Sequence, residues 1–296
     1  MTSCESDVLD IAYAQLGDEA GPPVVLIHGW RDTARGWREV AEGLARSGWR
    51  VIAPDTRGTA NTGFRSPTTP RDGQAVALAQ DTLDLADALG LHRFSVVGHD
   101  WGARVAYTLA ALAPERIVAI AALALAYQPR GRFLMPDFAQ ARAFWYQWLM
   151  YVEEGAELIR RHPLAFARQQ WDTWSPPGWF DEEEFAATAA GFNNPDWVEI
   201  TLNAYRSRFL PDEPRDSRYD DLRRRLSTVE QLSVPTLMLQ GGSDYCDHPS
   251  SSEGLEPYFS GTYRRVVLDG VGHFPHREAP GQVTSLVHHH LTRHHT

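Results

Sequence analysis

The stretch Phe94-Ser95-Val96-Val97-Gly98-His99-Asp100-Trp101-Gly102-Ala103 constrains this chain more than any other. An apolar run from Phe94 to Val97 meets a Gly-x-Asp-x-Gly pentapeptide, and a small-residue helical pattern (Ala103, Ala106, Leu109, Ala110) follows at once. The segment therefore reads as strand, sharp turn, helix. Such a turn forces its middle residue into a strained backbone conformation, and only glycines two before and two after leave room for strand and helix to approach. This is a nucleophile elbow, and it presents Asp100 where a serine is common. A carboxylate attacking an acyl carbon would form an anhydride, whereas attack on a saturated carbon forms an ester, the workable intermediate. The pattern predicts a substrate with an electrophilic sp3 carbon, such as an epoxide or an alkyl halide. The plainer alternative is a turn aspartate that caps the helix beginning at Trp101.

The flanking sequence supplies the rest of a sheet. Val24 to Ile27 is a continuous run suited to a strand buried on both faces, and it ends in His28-Gly29-Trp30. The backbone N–H groups of Trp30 and Trp101 are expected to form an oxyanion hole, with His28 a structural, backbone-bonded histidine. Val8 to Tyr13 reads as an edge strand, Trp37 to Arg46 and Gln74 to Leu89 as amphipathic helices, and Val51 to Pro54 and Ile117 to Leu123 as further strands. Strands resume at Val234 to Gln240, leading to Asp244, and at Tyr263 to Leu268, leading to His273. Strands alternating with helices predict an α/β fold with a doubly wound, mostly parallel sheet, whose ligands sit at the carboxyl ends of the strands. Asp100, Asp244 and His273 each follow a strand, in the order nucleophile, acid, histidine.

From residue 128 to residue 227 the β-branched runs disappear and aromatic-rich helical segments replace them. Trp145, Trp148, Trp171, Trp174, Trp179 and Trp197, six of the ten tryptophans, lie there. The expected organisation is a core of residues 1–127 and 228–296 with an inserted helical lid over Asp100 at 128–227. Trp30, Trp101, Trp145 and Trp148 are the expected substrate-binding rings.

A net charge of −10 argues against nucleic acid or an anionic membrane as partner, because phosphate binding needs a basic face. The longest apolar run, Ile117 to Tyr127, is too short to cross a bilayer and no basic-then-apolar leader precedes it, so the expected location is cytoplasmic. Cys4 and Cys246 make no disulfide framework. All 28 basic residues are arginine. His288, His289, His290, His294 and His295 could meet a transition metal, but a frayed terminal tail offers no fixed geometry, and no metal is expected.

With these residues in hand, the chain resembles the α/β-hydrolase superfamily, specifically its epoxide hydrolase branch, with haloalkane and haloacetate dehalogenases as close relatives. The resemblance rests on GHDWG, the downstream Asp244 and GVGHFPHREAP, and covers nearly the whole chain. It implies Asp100 as nucleophile, His273 as the base that activates water, and Asp244 as the group that orients His273. Epoxide hydrolases also use two lid tyrosines to hold the epoxide oxygen, and Tyr146 in Trp-Tyr-Gln and Tyr205 in Asn-Ala-Tyr-Arg resemble those motifs. The implied reaction opens an epoxide, a small-molecule substrate, to a vicinal diol through an aspartyl ester, with no metal or cofactor; the abundant aromatics of the inserted segment favour a bulky apolar or aromatic epoxide. A homodimer is compatible with the sequence. One departure stands out: Arg31 occupies the position where epoxide hydrolases carry the proline of HGxP. A dehalogenase is the alternative, acting on a haloalkane or on a haloacid held by Arg104. Trp30 stands where dehalogenases place a halide-binding asparagine, though Trp101 could still donate its indole N–H. A non-catalytic ligand-binding homologue is the lesser alternative, and an intact triad argues against it.

Overall fold

The computed structural model describes residues 2–210 and 212–295. The strands are β1 (Thr2–Glu5), β2 (Leu9–Leu16), β3 (Pro23–Ile27), β4 (Arg50–Pro54), β5 (Gly63–Phe64), β6 (Phe94–His99), β7 (Ile117–Leu123), β8 (Thr236–Gly241) and β9 (Tyr263–Leu268). Helices α1 (Arg38–Arg46), α2 (Ala75–Ala88) and α3 (Trp101–Leu112) connect the early strands. Between β7 and β8 lie α4 (Phe138–Ala143), α5 (Trp145–Tyr151), α6 (Glu153–Arg161), α7 (Pro163–Thr173), α8 (Glu182–Ala189), α9 (Trp197–Arg206) and α10 (Asp220–Leu226). The chain ends in α11 (Pro275–Glu278) and α12 (Pro280–His294).

The strands form one sheet in the order β1-β2-β4-β3-β6-β7-β8-β9, with β5 beside β2. From β4 to β9 neighbouring strands are parallel, and β1, β2 and β5 make an antiparallel edge. Successive side chains of a strand face opposite sides, and both sides here are covered. Val24, Leu26, Val97, Ala121 and Leu239 pack toward Val40 and Leu44 of α1 and Val283 and Val287 of α12. Val25, Ile27, Val96, Ile120 and Ala122 pack toward Leu78 and Leu85 of α2 and Val105 and Leu109 of α3. Burial on both faces explains why these strands read as unbroken apolar runs, each large side chain contributing roughly 1.5–3 kcal/mol.

The order places β4 on one side of β3 and β6 on the other, so the winding direction reverses between β3 and β6. Pairing of Ile27 with Gly98 brings the ends of these strands level, and the loops after them open a crevice at this switch point. All the α-helices of residues 128–227 belong to the segment inserted after β7.

Two expectations need correction. The strand expected at Val8 to Tyr13 runs from Leu9 to Leu16 and is not the sheet edge, because β1 pairs outside it. The short, largely exposed β1 carries no alternation to announce it. The histidine-rich terminus is not frayed through residue 294: α12 buries Val283, Val287 and Leu291 along one stripe. His290 is buried with them, Nε2 3.1 Å from the Ile120 carbonyl, and His288 Nδ1 accepts from Trp49 Nε1 at 3.0 Å. Among the described residues, no helix is long and apolar enough to cross a membrane.

Candidate active site

Asp100 sits between β6 and α3 with φ 50° and ψ −111°, a conformation that L-residues adopt only under constraint. The constraint comes from both sides. Its N–H donates to the Leu123 carbonyl at 3.0 Å, and a Cβ added at Gly98 would run into the backbone of Gly102, while one at Gly102 would run into the carbonyl of Ile27. The Asp100 carboxylate makes no capping bond to α3, so the plainer reading of a helix-cap aspartate fails. It is turned instead toward the loop after β3, where the Trp30 N–H donates to Oδ1 at 2.9 Å. The indole of Trp101, expected to frame the same site, donates to the Tyr205 hydroxyl at 3.1 Å.

The loops after β8 and β9 bring Asp244 and His273 to the same edge. His273 Nδ1 lies 2.8 Å from Asp244 Oδ2, and Nε2 faces Asp100 Oδ2 at 3.7 Å. Asp244 is fixed in turn, its Oδ1 accepting the N–H groups of Cys246 and Asp247 at 2.8 and 2.9 Å. Burial works against a charge on both Asp100 and His273, but each is overruled by the other. Asp100 is held far below the usual carboxylate range by His273, helped by His99 and Arg31. The His273 imidazole is held up at about 9 by Asp244 and Asp100. The arrangement supplies a carboxylate ready to attack, a base behind it, and an N–H that meets one carboxylate oxygen. His28 is structural: Nδ1 is 2.8 Å from the Gly29 carbonyl and Nε2 accepts from the Thr56 N–H at 3.0 Å.

The inserted helices deliver two tyrosines above this carboxylate, with rings 5.7 Å apart and edge to face. Tyr205, on α9, is buried and its hydroxyl accepts from Trp101, leaving its proton for an acceptor in the chamber. The Tyr146 hydroxyl, on α5, accepts from Gln147 Nε2 at 3.1 Å and lies 3.7 Å from the Cys246 sulfur. Burial pushes both phenols well above the ordinary tyrosine range, so both stand as neutral donors.

Trp30 is the centre of the chamber wall. Its ring stacks on Trp101, Tyr146 and Trp197 and meets Tyr205 edge-on at 5.1 Å, and its Nε1 donates to Thr201 at 2.9 Å. Trp145 and Trp148 do not join it. Trp145 is 40% exposed, and Trp148 turns away to donate to the Ala141 carbonyl at 2.7 Å. Their places are taken by Phe166, Trp174 and Trp197, with Trp174 lying edge-on to His273 at 4.6 Å. The sequence contains no signal that separates these rings, because aromatics fall on every face of the inserted helices. Arg31, noted only for displacing a proline, is fully buried beside Trp30 and Trp174.

A small void of about 10 Å³ lies beside Trp30, Arg31, Trp101 and Thr201, on the side of Thr56 and Ile200. A larger cleft of about 440 Å³ lies on the other side of the α9 segment, lined by Arg104, Arg130, Arg132, Arg208 and Arg223. Arg104 therefore stands away from the triad, in a basic cleft. Behind the triad, Asp32, His99 and His276 bring ligand-type atoms within 4.8 Å of one another. Asp32 is already engaged there by Arg277 and His276, which makes the cluster a buried ion-pair network rather than an open metal site.

Comparison with known proteins places the fold in a family. Residues 22–280 match the family described as the alpha/beta hydrolase fold. Epoxide hydrolase A of Mycobacterium tuberculosis is 30% identical over 304 aligned residues, covering 94% of this chain and 92% of that protein. Epoxide hydrolase 3 of Siraitia grosvenorii is 28% identical, covering 90% and 91%. A crystal structure from Klebsiella pneumoniae, provisionally assigned as an epoxide hydrolase, superposes with a TM-score of 0.90 at 34% identity over 98% of this chain and 97% of that one. The chain belongs to the α/β hydrolase fold family, and the relatives it is similar to across nearly its whole length are epoxide hydrolases.

Proposed function

We propose that this protein is an epoxide hydrolase that works through a covalent aspartyl ester, with residues 128–227 as its cap and 1–127 and 228–296 as its core. The observation that carries this reading is the alignment of Asp100, His273 and Asp244 beneath two neutral tyrosine hydroxyls, with the Trp30 N–H already on Asp100 Oδ1. Asp100 Oδ2 attacks a ring carbon, the C–O bond of the oxirane breaks, and Tyr205 and Tyr146 donate to the departing alkoxide. Water deprotonated by His273 then adds to the ester carbonyl, whose oxyanion meets the Trp30 N–H; the Trp101 N–H is the proposed second donor. Collapse returns the Asp100 carboxylate and a vicinal diol that keeps the Asp100 oxygen.

Dehalogenation of a haloalkane or haloacid uses the same triad, but a halide needs an indole donor and no proton. The Trp101 indole is engaged by Tyr205, which favours the epoxide. The test is His273→Gln with an aryl epoxide such as styrene oxide. The variant is expected to alkylate and then stall, adding the substrate mass to the intact protein on Asp100. An unmodified protein, together with no diol from the wild type, would overturn the reading.

A further inference from the structure

Two buried arginines of this protein are fully paired. Arg57 forks onto Asp81 with both bonds at 2.7 Å, and Arg277 forks onto Asp32 at 2.6 and 3.0 Å. Arg31 is as buried, 0% exposed, yet its Nε, Nη1 and Nη2 have no hydrogen-bond partner. Its guanidinium is sandwiched between two indoles, 3.4 Å from the Trp30 ring centre and 3.6 Å from that of Trp174. The two rings, tilted 59° to each other, pack against the guanidinium carbon, and its five N–H donors remain for a ligand. Around it stand Tyr205, Tyr146 and Cys246, all neutral, and the charged Asp100, the groups of the triad chamber. Burial pulls its pKa down only to about 10, so it stays cationic at neutral pH.

A buried guanidinium with no hydrogen-bond partner is costly even with the Asp100 charge acting on it. The same residue carries a second cost, a left-handed backbone at φ 61°, which proline could not adopt. Two unrelieved costs on one residue, one position after the N–H that holds the nucleophile, mark a site built for a ligand rather than for stability.

We propose that Arg31 is an anion receptor for the substrate, and that the epoxide turned over here carries a carboxylate that docks on the guanidinium edge while the oxirane lies at Asp100. This rests on the epoxide hydrolase reading. A planar carboxylate matches the arginine fork in two parallel bonds. The cleft beyond Tyr205 agrees with it. In a chain of net charge −10, Arg104, Arg130, Arg132, Arg208 and Arg223 line one cavity, Arg130 and Arg223 paired with carboxylates, and Arg208 lies 4.7 Å from the Tyr205 ring centre.

The test uses a matched pair, 3-phenylglycidate and its neutral carboxamide, and an unreactive pair, 3-phenylpropionate and its amide, whose binding is followed by fluorescence of the tryptophans around Arg31. Wild type is expected to favour the glycidate in kcat/KM, and the carboxylate in binding, by on the order of 10²-fold. Arg31→Gln is expected to erase most of that preference, and Arg31→Lys to keep part of it. Equal binding of acid and amide by the wild type overturns the proposal, so a variant that fails to fold cannot shelter it. An acid preference unchanged in a folded Arg31→Gln protein also overturns it. If acids bind preferentially but neither epoxide is opened, the anion site stands and the epoxide reading falls. If both epoxides are opened equally and acid and amide bind alike, the reverse holds.

Discussion

Esterification of Asp100 removes a negative charge from beside His273, and that change orders the two half-reactions. In the free protein burial disfavours the imidazolium, but Asp244 and Asp100 together hold its pKa up at about 9. Once Asp100 is an ester, only Asp244 remains, the imidazole pKa falls, and the ring can accept a proton from water. Ester hydrolysis is therefore expected to rise with pH through an apparent pKa below 9, while alkylation stays flat across the neutral range because the Asp100 carboxylate is ionised throughout. Single-turnover rates measured separately for the two steps decide this, and identical profiles would contradict it. The tyrosines act in the first step only. An alkoxide leaves poorly without a proton, so Tyr205→Phe is expected to slow alkylation by ~10²-fold and leave ester hydrolysis nearly unchanged. A dehalogenase would tolerate that change and suffer from Trp101→Phe instead.

Between elements, the inserted helices are tied to the loop after β3. Trp171 Nε1 of α7 donates to the Arg31 carbonyl at 3.0 Å, and Trp30 Nε1 reaches Thr201 of α9. Beneath them Asp32 takes Arg277 at 2.6 Å and His276 at 2.9 Å, and Arg277 continues to Glu184 of α8 at 2.7 Å. Burial alone would push the Asp32 carboxyl up, but Arg277 and His276 hold it well below the usual range. A depressed carboxylate stabilises above its unfolded pKa, and that stability is lost as pH falls through the folded value. Removing one charge of such a pair leaves the other stranded. Asp32→Asn is expected to cost ~3–5 kcal/mol in urea unfolding at neutral pH. Asp32→Asn combined with Arg277→Met should cost less than the two single changes added together. Strict additivity would show that the pair is not coupled.

For the molecule as a whole, Asp247 sets a pH dependence at lower pH than that of His273. Burial first, and Asp244 next, push its carboxyl up to about 7. The folded state then keeps a proton that the unfolded chain has released, so the stability contributed by Asp247 is full below about 4, falls as pH rises to about 7 and is gone above that. Asp247→Asn removes the titration while its shape and its backbone N–H to Asp244 remain. The variant is expected to melt above the wild type at about pH 8 and to lose most of that advantage by about pH 5, a difference of up to a few kcal/mol. A gap independent of pH would show that Asp247 is not the titrating group.

What the amino-acid sequence determined alone is what neighbouring residues impose on one another. Gly98 and Gly102 around Asp100 demand a turn whose sterics are local, and the unbroken runs at Val24 to Ile27 and Phe94 to Val97 demand strands covered on both faces. Chain order then brings Asp244 and His273 to the strand ends beside Asp100. Tyr205 is singled out by the resemblance of Asn-Ala-Tyr-Arg to an epoxide hydrolase lid motif. Which aromatic rings face the nucleophile was not legible, because Trp145, Trp148, Trp174 and Trp197 lie on helices whose orientation depends on distant partners: Trp148 turns to Ala141, whereas Trp174 reaches His273 from the end of α7. The terminal histidines were misread for the same reason, since Val283, Val287 and Leu291 form a stripe only once there is a sheet to receive it. Arg31 marks the boundary. Its departure from HGxP is plain in the sequence, but the loss of water from its guanidinium occurs only when Trp30 and Trp174, well apart along the chain, both pack against it.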